Sequence, residues 1–582
     1  MSFDDVFKVL GEFGTYQKRV YLMQCVPQIF SAIQTCLSIF ILFTPEHRCS
    51  IPLYDNDTFL VQSIRHQVML NLSIPYEEDV DQYGRPTTQV SRCNVRRSIP
   101  WNNDTDGNSS FVTYQCHSFV FDTTIFQSTF TTEDNLVCQR KKYIVHATMS
   151  FMAGFTVGSL LLGIMADVVG RKKAMILSIV LYIIPNISGS FVTSFEQFVI
   201  CRFLSGVSVG GLLGTGFVMG LEFVGPSKRM WAGIVIELFW ASGTMLLALL
   251  AYLIRDWKYL NLVVSVPPVL FLSYIWASLR IPPNEVRIMP ESVRWLLIKG
   301  RTDEAMEIIQ HAARVNGVHV PSNILLKGKE EEKIEPEEPS SCFPVCKLFS
   351  TAKMAGRTSI IFLNWAVCSS VFYGLSINVG NISGNIFLNF FLISVAELLG
   401  FLSLLFVLNR FGRRPVYIFS VVSAGVFCVC TTFPVIFGSP EIQWVAVLLA
   451  TIGKVGASAS FATVLLFSAE LFPTVIRNSA MGAASFCARV GGMVSPYIVD
   501  LAQSVDGDFG KALPMIIFGL CAILSGLLAY YLPETLHENL PETIADSMKK
   551  PRKSRPDITA IDVNTNQPLM NGYNAQENET TA

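Results

Sequence analysis

Four ionisable side chains interrupt long apolar stretches of the sequence: Glu237, Glu397, Lys454 and Arg489. A charge deep in such a stretch is costly, so it usually faces a partner or a polar cavity. Two acids and two bases sum to zero, which favours a cavity for zwitterionic or varied ligands over a site for one sign of charge. The alternative is that the four residues only form structural ion pairs with one another.

Aromatic residues accompany these charges in the same apolar stretches, namely Trp240, Trp365, Phe372 and Tyr373. The face of an aromatic ring attracts an ammonium group by about 0.5–2 kcal/mol per contact. These rings are therefore candidates for binding an organic cation. The alternative for any one of them is packing against helices or lipid.

The sequence lacks the residue patterns of common catalytic sites. The stretch GVSVG (206–210) matches a nucleophile elbow, but it lies inside an apolar run with no strand before it. Small residues for close helix packing explain it better. The seven histidines show no metal-ligand spacing, and there is no phosphate-binding loop. We therefore expect no enzyme activity, no metal and no cofactor, whereas coupling to Na⁺ or H⁺ stays open.

Composition identifies the elements that carry these residues. The chain of 582 residues is 51% hydrophobic and 15% charged, against roughly 25% charged in typical soluble domains. A net charge of −1 gives no reason to expect a nucleic-acid partner. The apolar blocks are continuous and about 20 residues long, as in membrane-spanning helices, and lack the alternation of a β-barrel. We predict an all-α polytopic membrane protein with twelve spans, at approximately 20–43, 144–166, 174–195, 198–218, 230–254, 259–279, 358–379, 386–408, 416–437, 442–466, 479–502 and 512–532.

Basic residues indicate which loops face the cytoplasm. They cluster after spans 2, 4, 8 and 10, as at Arg171 and Arg413, and short loops rich in Lys and Arg stay inside. Arg255, Lys258 and Lys511 are exceptions on the other side. With an even number of spans, both termini are predicted to be cytoplasmic.

The hydrophilic segment after span 1 is then extracellular. It contains four sequons for N-glycosylation, a modification of that compartment, at Asn56, Asn71, Asn103 and Asn108. It also contains an even number of cysteines, which predicts two disulfides of undetermined connectivity among Cys49, Cys93, Cys116 and Cys138.

These segments divide the chain into four parts. We predict an N-terminal six-helix half (1–279) with the extracellular loop 44–142, a cytoplasmic loop (280–357), a C-terminal six-helix half (358–533) and a disordered cytoplasmic tail (534–582). Within the cytoplasmic loop, residues 302–317 show helical periodicity. The basic stretch KKPRKSRP (549–556) in the tail suits contact with anionic membrane lipid.

Three charged phrases recur at nearly one offset. Arg171 and Arg413 are 413 − 171 = 242 residues apart, EFVGPSKR (222–229) returns as ELFPTVIR (470–477), and PES (290–292) returns as PET (533–535). Such a repeat indicates a duplicated six-span unit, an architecture of secondary transporters. Salt bridges at these loops could lock one conformation, and turnover should depend on them more than binding does. The candidate gating residues are Asp167, Arg171, Glu222, Arg229, Arg413, Glu470 and Arg477.

The phrases also resemble a known family. GIMADVVGRKK (163–173) resembles the signature of the major facilitator superfamily. Five further stretches resemble solute carrier family 22, which contains the organic cation, carnitine and organic anion transporters. They are RFLSG (202–206), PESVRWL (290–296), YGLSINVGNISGN (373–385), AELFPTVIRN (469–478) and LPETL (532–536). The cation and carnitine branches are most similar. The resemblance implies two pseudo-symmetric halves and secondary transport across the plasma membrane by alternating access.

The resemblance also implies roles for the charged residues. Glu397 falls where cation and carnitine transporters carry glutamate, and Lys454 where they carry a basic residue. Arg489 falls where cation transporters have aspartate but carnitine and anion transporters have arginine, and Glu237 replaces a residue that is usually neutral. We expect transport of organic cations and zwitterions such as carnitine. Organic anion exchange is the alternative, and a polytopic receptor or channel is a remote one that leaves the repeat unexplained.

Overall fold

The computed structural model describes residues 3–52, 54–80, 86–99, 110–273, 289–320, 348–381, 384–505 and 507–536. Within them, one helix corresponds to each predicted span. The helices are α1 (Thr15–Cys36), α2 (Lys142–Val169), α3 (Arg171–Ser188), α4 (Phe195–Glu222), α5 (Arg229–Leu253), α6 (Trp257–Ser265), α7 (Ala352–Ile377), α8 (Ile386–Phe411), α9 (Arg413–Phe437), α10 (Gln443–Leu471), α11 (Thr474–Ser504) and α12 (Asp508–Ala529).

Nine of these described helices are long and apolar enough to cross a membrane, and the other three are α3, α6 and α11. Arg171 and two lysines open α3, and α11 carries Arg477, Arg489 and Asp500, so charge lowers their mean hydropathy. In α6 the α-helical pattern ends before two prolines, which lack the N–H for it, and the chain continues as a 3₁₀ helix over Pro267–Leu272. Residues 274–279 of the sixth predicted span lie outside the described part.

Several helices begin at a side chain that caps their free backbone N–H groups. Ser194 caps α4, Asp256 caps α6, Thr351 caps α7 and Asn385 caps α8. Each side-chain oxygen accepts from backbone N–H groups two or three residues on, which satisfies donors that the first helical turn leaves free. These residues therefore fix where four of the helices start.

The helices form two halves, α1–α6 and α7–α12. The C-terminal half has its own apolar core between Leu348 and Leu532. The halves meet where α5 packs against α8 and α2 against α11. Inside the N-terminal half, α2 and α4 approach closely, because a Cβ on Gly206 or Gly210 would collide with backbone atoms of α2. The GVSVG stretch is thus a helix-packing surface, as its small residues indicate.

The segment 44–142 adds short strands to an otherwise helical chain. Three antiparallel pairs form: β1 (His47–Cys49) with β6 (Phe119–Phe121), β2 (Tyr76–Val80) with β3 (Pro86–Val90), and β4 (Asn94–Ile99) with β5 (Ser110–Gln115). The helix Ile64–Ser73 lies between β1 and β2. We call the end of the helix bundle that carries this segment the loop end, and the other the motif end.

Two disulfides hold the segment together, Cys49–Cys116 and Cys93–Cys138. The second one ties the segment to the residues just before α2. Asn56 and Asn71 are exposed there, whereas the sequons at Asn103 and Asn108 lie outside the described residues.

The motif end carries further helices, Phe3–Leu10, Val293–Ile298 and Thr302–Asn316. The last one matches the helix predicted from periodicity. The Asn316 side chain ties it to the start of α1, because Oδ1 accepts from the N–H of Tyr16 (3.0 Å) and Nδ2 donates to the carbonyl of Leu10 (3.0 Å). Residues 321–347 and the tail from 537 lie outside the described residues, and the division into four parts stays a prediction.

Candidate functional site

Lys454 of α10 and Glu397 of α8 form a buried ion pair. Nζ lies 3.3 Å from Oε2, and the two side chains are 0% and 2% exposed. Nζ also donates to the carbonyl of Phe372 (3.0 Å) and to Oγ of Ser376 (2.9 Å), and it lies 3.5 Å from the centroid of the Phe372 ring. The ammonium group thus uses all its protons to join α7, α8 and α10. Among the described residues, Oε1 of Glu397 has no hydrogen-bond partner.

Arg489 of α11, unlike Lys454, has hydrogen-bond donors without a partner among the described residues. Its guanidinium group lies 3.9 Å from the centroid of the Phe155 ring, which α2 of the other half supplies. Nε and Nη1 find no hydrogen-bond partner in the described part of the chain. Glu237 of α5 lies near enough to Glu397 and Arg489 for the charges to interact. The structure therefore brings all four charged candidates together, from α5, α8, α10 and α11.

The aromatic candidates separate into two groups. Phe372 meets Tyr373 edge to face, with ring centroids 5.2 Å apart, and it stacks on Phe461 at 5.1 Å. Tyr373 lies beside Arg489. These rings flank the charged groups, and the ammonium group of Lys454 already makes a cation–π contact with Phe372.

Trp365 and Trp240 are both buried. The indole N–H of Trp365 donates to Oγ of Ser468 (2.8 Å), so this residue packs in the core of the C-terminal half. Trp240 is a close neighbour of Glu397. Trp240 can therefore contact a ligand there, whereas Trp365 supports the helices.

Sequence reasoning missed Phe155, Phe461 and Ser376. Phe155 and Arg489 are 334 residues apart (489 − 155) and meet only because α2 packs on α11. Phe461 had a usable signal, since it lies seven residues, two helical turns, after Lys454 on α10. Ser376 lies one turn after Phe372, on the same face of α7.

Aromatic side chains of both halves pack together at the loop end. Phe40, just after α1, stacks with Phe387 of α8 at 5.9 Å and meets Phe390 edge to face at 5.1 Å. Phe126 of the loop segment packs on Phe387 at 5.3 Å. We call these four residues the outer aromatic cluster.

At the motif end, the N-terminal half holds a network around Arg171. Its side chain lies 3.0 Å from Oδ1 of Asp167 and 3.5 Å from Oε2 of Glu222, and it donates to the carbonyl of Ala166 (3.0 Å). The carboxylate of Glu291 accepts from the backbone N–H of the residue after Arg171 (3.2 Å). Asp167 is 73% exposed, whereas Glu222 is 13% exposed.

The C-terminal half repeats this network. Arg413 lies 3.0 Å from Oε2 of Glu470 and donates to the carbonyl of Leu408 (3.4 Å). The carboxylate of Glu534 accepts from the N–H of Arg413 (2.9 Å) and of Arg414 (3.0 Å). Equivalent contacts at the repeated phrases support the duplication that the sequence indicates, and they add the glutamates of PES and PET.

Two further gating candidates have different surroundings. Arg477 donates from Nε to the carbonyl of Phe472 (3.1 Å), and Arg229 is the first residue of α5. The ion pairs of Arg171 and Arg413 each lie within one half. A conformational lock through these residues would therefore act inside each half, by holding its own helices together.

Comparisons with known proteins agree with this architecture. The family model described as sugar (and other) transporter matches residues 108–545. The chain is similar to an organic cation transporter protein of Drosophila melanogaster, with 37% identity over 98% of this chain and 100% of that protein. Human solute carrier family 22 member 13 is 31% identical, covering 95% of both chains. A β-alanine transporter of Drosophila melanogaster is 32% identical, covering 95% of this chain and 90% of that protein.

Among solved structures, the chain resembles the partially occluded, inward-open xylose transporter XylE from E. coli. The TM-score is 0.58 at 14% identity, covering 90% of this chain and 100% of that chain. At this identity, the likeness concerns the fold alone.

Proposed function

The chain belongs to solute carrier family 22 of the major facilitator superfamily, and we propose that it moves organic cations and zwitterions across the plasma membrane by alternating access. It is a multi-pass membrane transporter and not an enzyme. The proposal concerns its substrates, its orientation and the residues that serve them.

The observation that carries the proposal is the unequal use of the four central charges, of which Lys454 and Glu397 are buried. Lys454 is fully hydrogen-bonded, and Oε1 of Glu397 has no hydrogen-bond partner among the described residues. An ammonium group placed at this oxygen would meet the carboxylate, with Trp240 close by. Arg489 keeps free donors, which suit the carboxylate of a zwitterion because guanidinium binds carboxylate in a two-pronged geometry.

The relatives support both substrate classes. One of them is named as an organic cation transporter and another as a β-alanine transporter. β-Alanine carries an ammonium and a carboxylate group, so its transport needs partners for both charges. A cavity with two acids and two bases supplies them.

The proposed orientation places the loop end outside the cell. The two disulfides and the exposed Asn56 and Asn71 suit that compartment. The basic motif end then faces the cytoplasm, with both termini. In this orientation the outer aromatic cluster closes the extracellular side, and the networks of Arg171 and Arg413 hold the cytoplasmic ends of each half.

Uptake of a labelled substrate panel tests the proposal. Cells that express the chain should accumulate tetraethylammonium, carnitine and β-alanine above vector-transfected cells, and should exclude para-aminohippurate. Each assay is run with and without sodium to find the coupling ion. Uptake of para-aminohippurate alone would instead support anion exchange, which the free donors of Arg489 favour and the carboxylates of Glu237 and Glu397 disfavour.

A further inference from the structure

A cavity of about 150 Å³ lies at the loop end, between the two halves. Helices α1 and α2 supply one wall, and α7 and α11 the other. Thr35, Ser38, Thr148 and Ile377 contribute to these walls, together with the charged residues Lys141 and Asp500. None of the charged or aromatic residues of the central site lines it.

The two charged residues come from opposite halves. Lys141 directly precedes α2, and Asp500 lies near the end of α11. Their charges interact across the cavity, and Arg92 adds positive charge on the Lys141 side. Among the described residues, no ion pair within 4 Å joins Lys141 to Asp500. The hydroxyl of Ser504 lies 3.3 Å from Oδ2 of Asp500 and 3.1 Å from the backbone carbonyl oxygen of Asp500.

The threonine hydroxyls of the cavity lie on the α1 and α2 wall, which also carries Lys141. The hydroxyls of Thr35 and Thr148 already donate to backbone carbonyls four residues earlier (2.8 and 3.1 Å). They therefore offer only lone pairs to a ligand, which suit a hydrogen-bond donor. A simple cation would be repelled by Lys141, and a simple anion by Asp500. A zwitterion satisfies both charges.

The cavity adjoins the central site along two helices. On α7, Ile377 lines the cavity and the preceding residue Ser376 binds Lys454. On α1, Thr35 lines the cavity, and the next residue, Cys36, lies near Glu397 and Lys454. The cavity therefore adjoins the central charges along these two helices.

We infer that this cavity is an outer binding site that captures small zwitterions, with their carboxylate at Lys141 and their ammonium at Asp500, before they enter the central site. The inference rests on the proposed function for the identity of the ligand. The volume of the cavity suits a small amino acid, because it corresponds to the space of a few water molecules at roughly 30 Å³ each in the liquid.

Influx kinetics of β-alanine and carnitine test the inference. Lys141→Gln and Asp500→Asn should each raise the apparent KM for influx about tenfold, equivalent to about 1.4 kcal/mol, with maximal rates within about twofold of the unchanged chain. The apparent KM for efflux from preloaded cells should stay unchanged, because binding from the cytoplasm does not use this cavity, and detailed balance then requires a lower maximal rate of efflux. The exchanged pair Lys141→Asp/Asp500→Lys should recover part of the affinity.

Two neighbouring charges provide matched controls. Lys142 and Glu441 are exposed at the same end and do not line the cavity, so Lys142→Gln and Glu441→Gln should leave the influx KM unchanged. Surface biotinylation corrects every rate for expression. A lower maximal influx rate at an unchanged influx KM would show a gate or a folding defect and overturn the inference, and so would an influx KM that does not change at all.

Binding of labelled β-alanine to the purified protein separates this inference from the proposed function. If zwitterions are transported equally well without Lys141 and Asp500, the proposed function is supported and the outer binding site is refuted. If binding depends on Lys141 and Asp500 but the protein transports no zwitterion, the outer binding site is supported and the proposed function is refuted. Absence of both binding and transport would overturn both.

Discussion

Lys454 and Arg489 are both basic residues of the central site, but their contacts assign them different tasks. Lys454 is fully buried and fully hydrogen-bonded, and it joins three helices of the C-terminal half. Arg489 stacks on an aromatic ring of the other half and keeps unused donors. We therefore interpret Lys454 as a structural ion-pair partner and Arg489 as a candidate ligand-binding residue.

Removing Lys454 should destabilise the protein. Lys454→Met leaves the Glu397 carboxylate buried without its cation, at a cost of about 3–5 kcal/mol, and should lower the thermal unfolding midpoint in detergent. Lys454→Met/Glu397→Gln should recover most of the loss. The exposed pair Lys258–Glu133, with side chains 44% and 37% exposed, is the control, because Lys258→Met should change stability by less than about 1 kcal/mol. Equal effects of the two lysine variants would refute the structural assignment.

Removing Arg489 should change selectivity. Arg489→Ala should weaken the apparent affinity for carnitine about 30-fold, the scale of about 2 kcal/mol for one desolvated ion pair, and spare tetraethylammonium. Glu237→Gln should weaken both substrates. Arg202 is a matched control, since it stacks on Phe151 and both Nη1 and Nη2 donate hydrogen bonds, whereas Nη1 of Arg489 has no partner among the described residues. Arg202→Ala should affect both substrates alike, and the same pattern for Arg489→Ala would make Arg489 a structural residue.

At the scale of elements, two short turns connect α2 to α3 and α8 to α9. Gly170 (φ 120°, ψ 149°) and Gly412 (φ 96°, ψ 167°) adopt a conformation that is essentially restricted to glycine. A Cβ would also lie 2.5 Å from the Glu291 carboxylate at the first turn and 2.9 Å from that of Glu534 at the second. These glycines let each carboxylate reach the backbone N–H groups that open the next helix.

Alanine at either turn should therefore cost stability. Gly170→Ala and Gly412→Ala should each lower the free energy of unfolding by about 1–3 kcal/mol and slow transport. Gly163 of α2 has open space around its Cβ position and an ordinary helical backbone, so Gly163→Ala should be neutral or stabilising. Thermal unfolding of the three variants in detergent would decide, and a loss at Gly163 as large as at the turns would contradict the explanation.

The acidic residues of the two motif-end networks differ in burial, and so should the strengths of their ion pairs. Asp167 is 73% exposed and Glu470 18% exposed, so water screens the first ion pair more strongly. Glu470→Gln should lower maximal transport about tenfold, the effect of about 1.4 kcal/mol on a barrier, and Asp167→Asn should lower it less. Substrate binding should persist in both, because the networks lie away from the central site. A parallel loss of binding and turnover, at normal surface expression, would argue against a gating role.

Sequence patterns predicted those features of the fold that depend on residues close together in the chain. Span length and the repeated phrases located the helices and the Arg171 and Arg413 turns, because both follow from residues close together in the chain. The contact of Arg489 with Phe155 and the pairing of Cys93 with Cys138 depend on how distant segments pack. No periodicity in one segment records such a contact, so these features needed the structure.

At the scale of the whole molecule, we expect the glycosylation sites of the loop segment to promote delivery to the cell surface. Asn56 has a positive φ of 61°, so replacing it would combine loss of a glycan with backbone strain. Removing the sequon hydroxyls avoids this, through Thr58→Ala, Ser73→Ala, Thr105→Ala and Ser110→Ala. The combined variant should migrate faster on a gel and reach the surface less. If glycosidase treatment does not shift the native protein, the sequons are unused or the orientation is inverted.

A central site that accepts both cations and zwitterions has an electrical consequence. Because the protein returns to its starting state in each cycle, the charge carried inward is that of the cargo and of any co-transported ion. A resting potential of about 60 mV contributes about 1.4 kcal/mol per elementary charge, enough to concentrate a monovalent cation about tenfold inside the cell. A zwitterion that moves without a co-transported ion gains nothing from this voltage. The same cavity would thus generate current with one cargo and remain electrically silent with the other.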